Sequence, residues 1–204
     1  MNIPWSAIGD LARVGTVLLG VLGTAVTVGA LITRRHVLAL YVAVGVGALG
    51  ALYAVTLLGV ALLTPARTLA AGEEKSCEGV DPHLHFRVAG TRRDGDTLLV
   101  TVHLRSDALR AIQNPTTFRA VLFDARGRRY SPLSSSAAAA GTFPVFARRL
   151  APGESYDATL RFVPDPDAAG LRLLVDDLGW PGPLEIGSEA SPFHRKTWFA
   201  LAGV

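Results

Sequence analysis

The chain carries a single cysteine, Cys77, in 204 residues, so no disulfide can close within it. It is also short of charge, with 18% Asp, Glu, Lys and Arg against 50% hydrophobic residues, a more apolar balance than ordinary soluble domains show. The shortage is concentrated, because residues 14–33 and 37–64 contain no Asp, Glu, Lys, Arg or His. An amphipathic core helix would need a polar face, and neither run has one. No P-loop, dinucleotide fingerprint, G-x-S-x-G, H-E-x-x-H or C-x-x-C-H motif occurs, so no cofactor is expected and the sequence offers no ground for an enzyme. Basic stripes are missing as well. From Gly72 onward 16 Lys and Arg are balanced by 16 Asp and Glu, so the net +3 comes from Arg13, Arg34, Arg35 and Arg67 against Asp10. That surplus flanks the apolar runs, which argues against nucleic acid as a partner and for the lipid bilayer.

What is present begins with the two runs themselves. Each is long enough to cross a hydrocarbon layer about 30 Å thick, so residues 1–66 are expected to form a transmembrane hairpin with spans at about 12–33 and 37–64. The first run is longer than the apolar part of a signal peptide, and a second spanning run follows at once. Pro65 ends the second helix, and Trp5 and Arg67 are placed to anchor the interface. Arg34 and Arg35 crowd the connecting loop, whereas Arg13, Arg67 and Lys75 on the other side are diluted by Asp10, Glu73, Glu74 and Glu78. The positive-inside rule then favours a cytoplasmic loop with the rest of the chain outside. An Arg-rich and Ala-rich composition fits a bacterial cytoplasmic membrane protein with a periplasmic domain.

Small residues recur at helical spacing: Thr16, Gly20, Gly23 and Thr27 in the first span, and Ala43, Gly47, Ala51 and Ala54 in the second, joined by Gly45, Gly50 and Gly59. In lipid such ridges let helix backbones approach closely. They pack the hairpin against itself on one reading; on the other, the second span has small surface left over for another membrane subunit. Neither span carries the intramembrane ionisable groups that transport pathways use.

After a linker at 67–82, periodicity changes from continuous to alternating. Leu84, Phe86 and Val88 alternate with His85 and Arg87, and Leu98, Val100, Val102 and Leu104 with Thr101, His103 and Arg105. Even-numbered residues face inward on both strands, so a three-residue loop of Arg93, Asp94 and Gly95 is expected, which sets Arg92 opposite Asp96 and His85 opposite His103. Further strands are expected in FRAVLFDARGRRY, around a turn at 124–127, at 156–164, at 171–177 and around 195–201. Residues 134–141, SSSAAAAG, read as a low-complexity loop. About seven short strands over residues 83–204 imply an all-β sandwich of immunoglobulin-like size.

Alternating hairpin, VLFDARGRRY and LAPGESYDATLRFVPDPDAAGLRLLV, in that order, resemble the extracytoplasmic immunoglobulin-like domains grouped as domain of unknown function 4352. SCEGVDPHLHFRV and IGSEASPFHRKTWFAL are also similar to uncharacterised bacterial membrane proteins of this arrangement. The resemblance covers residues 76–201 and implies a binding or interaction module. It also implies a second cysteine shortly after the first, where this chain reads EGVDPH.

The best candidate for chemistry is a set of Cys77, His83, His85 and His103, whose thiolate and imidazoles could ligate zinc or copper if strand register brings them together. Histidines beside Arg87 and Arg105 on a solvent face are otherwise ordinary surface residues. Taken together, the sequence implies a non-catalytic, membrane-anchored interaction protein, an accessory subunit of a larger membrane complex such as a respiratory or photosynthetic assembly. The rival is an independent extracytoplasmic sensor or ligand-binding domain on a membrane tether. Contacts are expected from the glycine face of 45–59, the 134–141 loop, and the aromatics of WPGP and TWF.

Overall fold

The computed structural model describes residues 5–76, 83–133, 145–179 and 182–201, and of residues 5–8 and 10 the backbone alone except at Gly9. The expected loop at 134–141 and Trp180 lie outside the described residues. Contacts divide the chain into two compact units. One is Met1–Thr64 with Pro183–His194, and the other is Pro65–Gly182 with Arg195–Val204.

Two helices make up most of the first unit: α1, Trp5–Ile32, and α2, His36–Leu63. Their turn is built by three backbone bonds. The N–H of Arg35 donates to Ala30 O at 2.7 Å, that of Arg34 to Leu31 O at 3.0 Å, and that of Thr33 to Gly29 O at 3.0 Å. This is the Schellman closure, and it needs a left-handed residue, supplied here by Arg34 at φ 58°. Ala30 and Ala39 are buried beside the turn, where small side chains let the helices begin close together. Most other apolar side chains of both helices are exposed, Leu11 at 76% and Val55 at 68% among them. Both helices are long and apolar enough to cross a membrane.

The second unit is a sandwich of two sheets. Its strands are β1 (Arg67–Leu69), β2 (Glu74–Ser76), β3 (Leu84–Asp94), β4 (Thr97–Ser106), β5 (Phe118–Phe123), β6 (Arg129–Tyr130), β7 (Ser155–Phe162), β8 (Arg172–Asp177) and β9 (Thr197–Ala200). One sheet has the order β1-β9-β8-β5-β6, the other β2-β3-β4-β7. Alternation does what the sequence implies: Leu84, Phe86, Val88, Leu98, Val100, Val102 and Leu104 are buried, and they meet Phe118, Leu122, Leu173 and Phe199 of the opposite sheet in one core. Phe86 anchors it, 4.7 Å from the Phe118 ring and 5.6 Å from Phe146.

Three expectations are corrected. Residues 67–76 are not a plain linker, because β1 pairs in parallel with β9 and β2 pairs antiparallel with β3, giving each sheet an edge strand. The sandwich does not run unbroken to the C-terminus either, since Pro183–His194 groups with the helices. Finally, the β3–β4 hairpin does need one extra residue, but it is Ala89. Pairing shifts between Val88↔Val102 and Gly90↔Thr101, and the turn closes tightly with Asp94 opposite Thr97 and Gly95 at φ 57°. The bulge sets His85 opposite Arg105 and Arg87 opposite His103.

Candidate functional site

In the helix pair the small and large faces are divided between partners. Thr16, Gly20, Gly23 and Thr27 lie on the half-buried face of α1, and Val42, Val46, Leu49 and Tyr53 on that of α2, spaced alternately by four and three residues. Gly23 is the tightest point, since a Cβ there would fall 2.3 Å from Val46 Cγ2. Thr24 and Thr27 return their hydroxyls to the carbonyls of Gly20 and Gly23 at 2.7 and 2.8 Å, which removes a polar group from the helix surface. Most of the small residues singled out in α2 lie off this face. Ala43, Gly45, Gly47, Gly50, Ala51 and Ala54 are exposed, and a Cβ built on Gly45, Gly47, Gly50 or Gly59 meets nothing within 4 Å. A Cβ on Gly20 also meets nothing within 4 Å, so of the six glycines singled out by spacing Gly23 is the one where an added Cβ would meet the other helix.

Arg34 and Arg35 sit at the turn and are exposed. Glycine is the usual residue at the left-handed position of a Schellman closure, and arginine carries a steric cost there. Backbone geometry therefore gives no reason for Arg34.

On the sandwich, the shifted register rebuilds the histidine set. Asp107 continues β4 past its last paired residue, and its N–H donates to His83 O at 3.1 Å, which puts Asp107 opposite His83 and diagonal to His85. The carboxylate accepts from both rings, from His83 Nδ1 at 2.8 Å and His85 Nε2 at 2.7 Å. A neutral His85 then has Nδ1 as an acceptor, 3.2 Å from the Ser76 hydroxyl on β2. Arg105 binds Glu74 at 3.1 Å and approaches Asp107 at 3.9 Å. Burial raises the Asp107 carboxyl, but hydrogen bonds from His83 and His85 outweigh it and hold the group below its ordinary value. Glu74 is lowered chiefly by its bond from Arg105.

His103 belongs elsewhere, with Nδ1 donating to Asp157 of β7 at 2.6 Å. Cys77 lies outside the described residues. Among the described residues no group of three or more His, Cys, Asp or Glu side chains is arranged to hold a metal ion. Both imidazoles that converge do so on a carboxylate, in a chain Ser76–His85–Asp107–His83 whose order suits cross-strand stabilisation.

Two acidic sites escaped the sequence reading. Asp124, in the expected turn, is buried and accepts from the backbones of Arg126 and Arg128 at 2.9 and 2.8 Å and from Arg128 Nε at 2.6 Å. Arg128 also reaches Asp165 and Asp167 at 2.9 and 2.8 Å, which locks the turn to the loop after β7. Asp176, buried on β8, accepts from Arg119 at 3.1 Å and Lys196 at 3.0 Å. Of the expected aromatic anchors, Phe199 is a core residue, and Trp198 lies against Phe123 at 5.0 Å with Arg172 over its ring at 4.8 Å.

No family model matches the chain, so the likeness to domain of unknown function 4352 has no support from that comparison. No curated protein matches it either. Among solved structures, the chain is similar to MPT63, a secreted protein from Mycobacterium tuberculosis, at 10% identity and TM-score 0.44, over 67% of this chain and 98% of that one. It is similar also to an uncharacterised β-sandwich protein from Clostridium difficile 630, at 7% identity and TM-score 0.40, over 67% and 95% of the two chains.

Proposed function

We propose that this chain is a non-catalytic, membrane-anchored interaction protein, an accessory subunit of a larger bacterial membrane complex. In this reading α1 and α2 cross the cytoplasmic membrane, Arg34 and Arg35 hold the turn on the cytoplasmic side, and the sandwich is an extracytoplasmic immunoglobulin-like module of the 4352 type. One observation carries the proposal: α2 uses its large side chains to pack on α1 and turns its small face, Ala43, Gly47, Ala51 and Ala54, outward. Against lipid alone a smooth face of this kind gains nothing, whereas a further helix can approach it closely. Apolar side chains exposed around both helices support lipid as their solvent, because such a surface in water would drive aggregation.

Solubilisation in a mild detergent, followed by native electrophoresis and mass spectrometry, tests the reading. The chain should remain in the membrane pellet after alkaline carbonate washing and then migrate in a large particle with fixed partners. A monomer or homo-oligomer would instead favour the tethered sensor, and release by carbonate would overturn both.

A further inference from the structure

Pro183–His194, which belongs to the helical unit, has its polar side chains on the inside. The segment is wound as successive turns: the N–H of Ser188 donates to Glu185 O at 3.2 Å, that of Ser191 to Ser188 O at 3.0 Å, and that of His194 to Ser191 O at 3.2 Å. Its polar side chains Glu185, Ser188, Glu189, Ser191 and His194 are all buried. Leu184 and Phe193 are exposed instead, Phe193 at 73%. A turn region facing water has the opposite distribution. Phe193 is moreover held at φ 65°, a left-handed conformation that a bulky residue adopts only where its surroundings impose it.

The level of the segment along the helices is fixed by three contacts. The Tyr53 hydroxyl donates to Leu184 O at 2.5 Å, the Arg13 guanidinium lies 3.7 Å from the Glu185 carboxylate, and a Cβ on Gly9 would fall 2.5 Å from Ile186 O. Arg13 precedes the end of α1 by 32 − 13 = 19 residues, and Tyr53 follows the start of α2 by 53 − 36 = 17. At 1.5 Å per residue these are about 28 and 26 Å from the turn. With the turn at one boundary of a layer about 30 Å thick, both contacts reach the other boundary, where Tyr and Arg are at home.

We infer that Pro183–His194 is a membrane-interface element that lies in the lipid headgroup layer and turns Phe193 and Leu184 toward the acyl chains. Its partner is the lipid surface itself. Leu52, exposed on α2 one residue nearer the turn than Tyr53, continues the same apolar surface toward the bilayer. Since Arg13 is met by Glu185, attachment is apolar rather than driven by headgroup charge. The inference rests on the membrane-spanning part of the proposed function.

Spin labels test it in full-length protein lacking its native thiol, Cys77→Ala, reconstituted in vesicles of phosphatidylethanolamine and phosphatidylglycerol. Labels are placed singly at Phe193→Cys, at Leu184→Cys as a second reading should the first variant misfold, at Val44→Cys within α2, and at Asp94→Cys in the β3–β4 turn. Collision with oxygen, relative to a water-soluble nickel complex, should be greatest at Val44. At 193 and 184 it should be intermediate and several-fold above Asp94. A deep Val44 label with 193 and 184 as nickel-accessible as Asp94 would overturn the inference and leave the membrane reading standing. Labels at 193 and 184 shielded from both reagents would also overturn it, by showing a protein cover. A nickel-accessible Val44 label would remove the membrane reading and the inference together.

Discussion

Asp124, Asp107, Asp167 and Glu74 are each held as carboxylates more firmly than in an unfolded chain. At Asp124 burial works against this and the bonds from Arg128 prevail; at Asp167 the Arg128 bond is itself the largest effect. Unfolded Asp and Glu take up protons near pH 4, and a lowered folded value means that the unfolded chain binds more protons in the window below. Stability is therefore fully present above about pH 5 and lost as pH falls through the folded values. Denaturation of the detergent-solubilised protein between pH 7 and 3 should show this loss, with a shallower dependence for Asp107→Asn. Asp176 tests a different balance, since its carboxylate is buried between two cations. Arg119→Ala combined with Lys196→Ala would leave that charge inside without them, at a cost of about 3 kcal/mol. Chemical denaturation checks the figure, and a loss below 1 kcal/mol would mean that the carboxylate is reached by water.

Two neighbouring glycine ridges differ in what they touch, and the difference separates two predictions at the level of elements. Gly23→Leu drives a side chain into Val46 and should open the hairpin, read as a lower melting temperature in detergent. Gly47→Leu meets open space, so the isolated protein should melt unchanged while the partner particle dissociates. Unchanged co-purification in that variant would count against the proposed subunit role. Spacing in the sequence located both ridges but could not say which faced the partner helix, because Val42, Val46 and Leu49 share the apolar character of the outward residues. The sandwich was legible for a related reason: alternation of Leu98, Val100, Val102 and Leu104 with polar residues reports a half-buried strand directly. Ala89 was not, since a bulge leaves no mark on alternation until two strands are aligned. The tight turn moved His103 away from His85, and the one-residue shift at Ala89 then brought Asp107 to His83, so the site changed partners while the fold stayed as read. β1 and β2 were missed because strands of three residues carry too little pattern to register. Pro183–His194 escaped because its burial of serines inverts the rule by which a loop is recognised.

At the scale of the molecule, the sheet that contains β8 is closed by a parallel pairing of β1 with β9, in which Arg67 meets Thr197. Those partners are separated by 197 − 67 = 130 residues, so the contact is among the slowest kind to form, needing nearly the whole intervening chain before it can be made. During biosynthesis the helices emerge first and β9 last. The half-built sandwich must wait with one sheet unfinished and Phe199 absent from its core. Nascent chains arrested before Thr197 leaves the ribosome should be digested by protease in the sandwich region, and chains extended far enough to free Ala200 should become resistant. A quality-control step that watches for an open sheet edge would thus have the entire synthesis time of this domain in which to act.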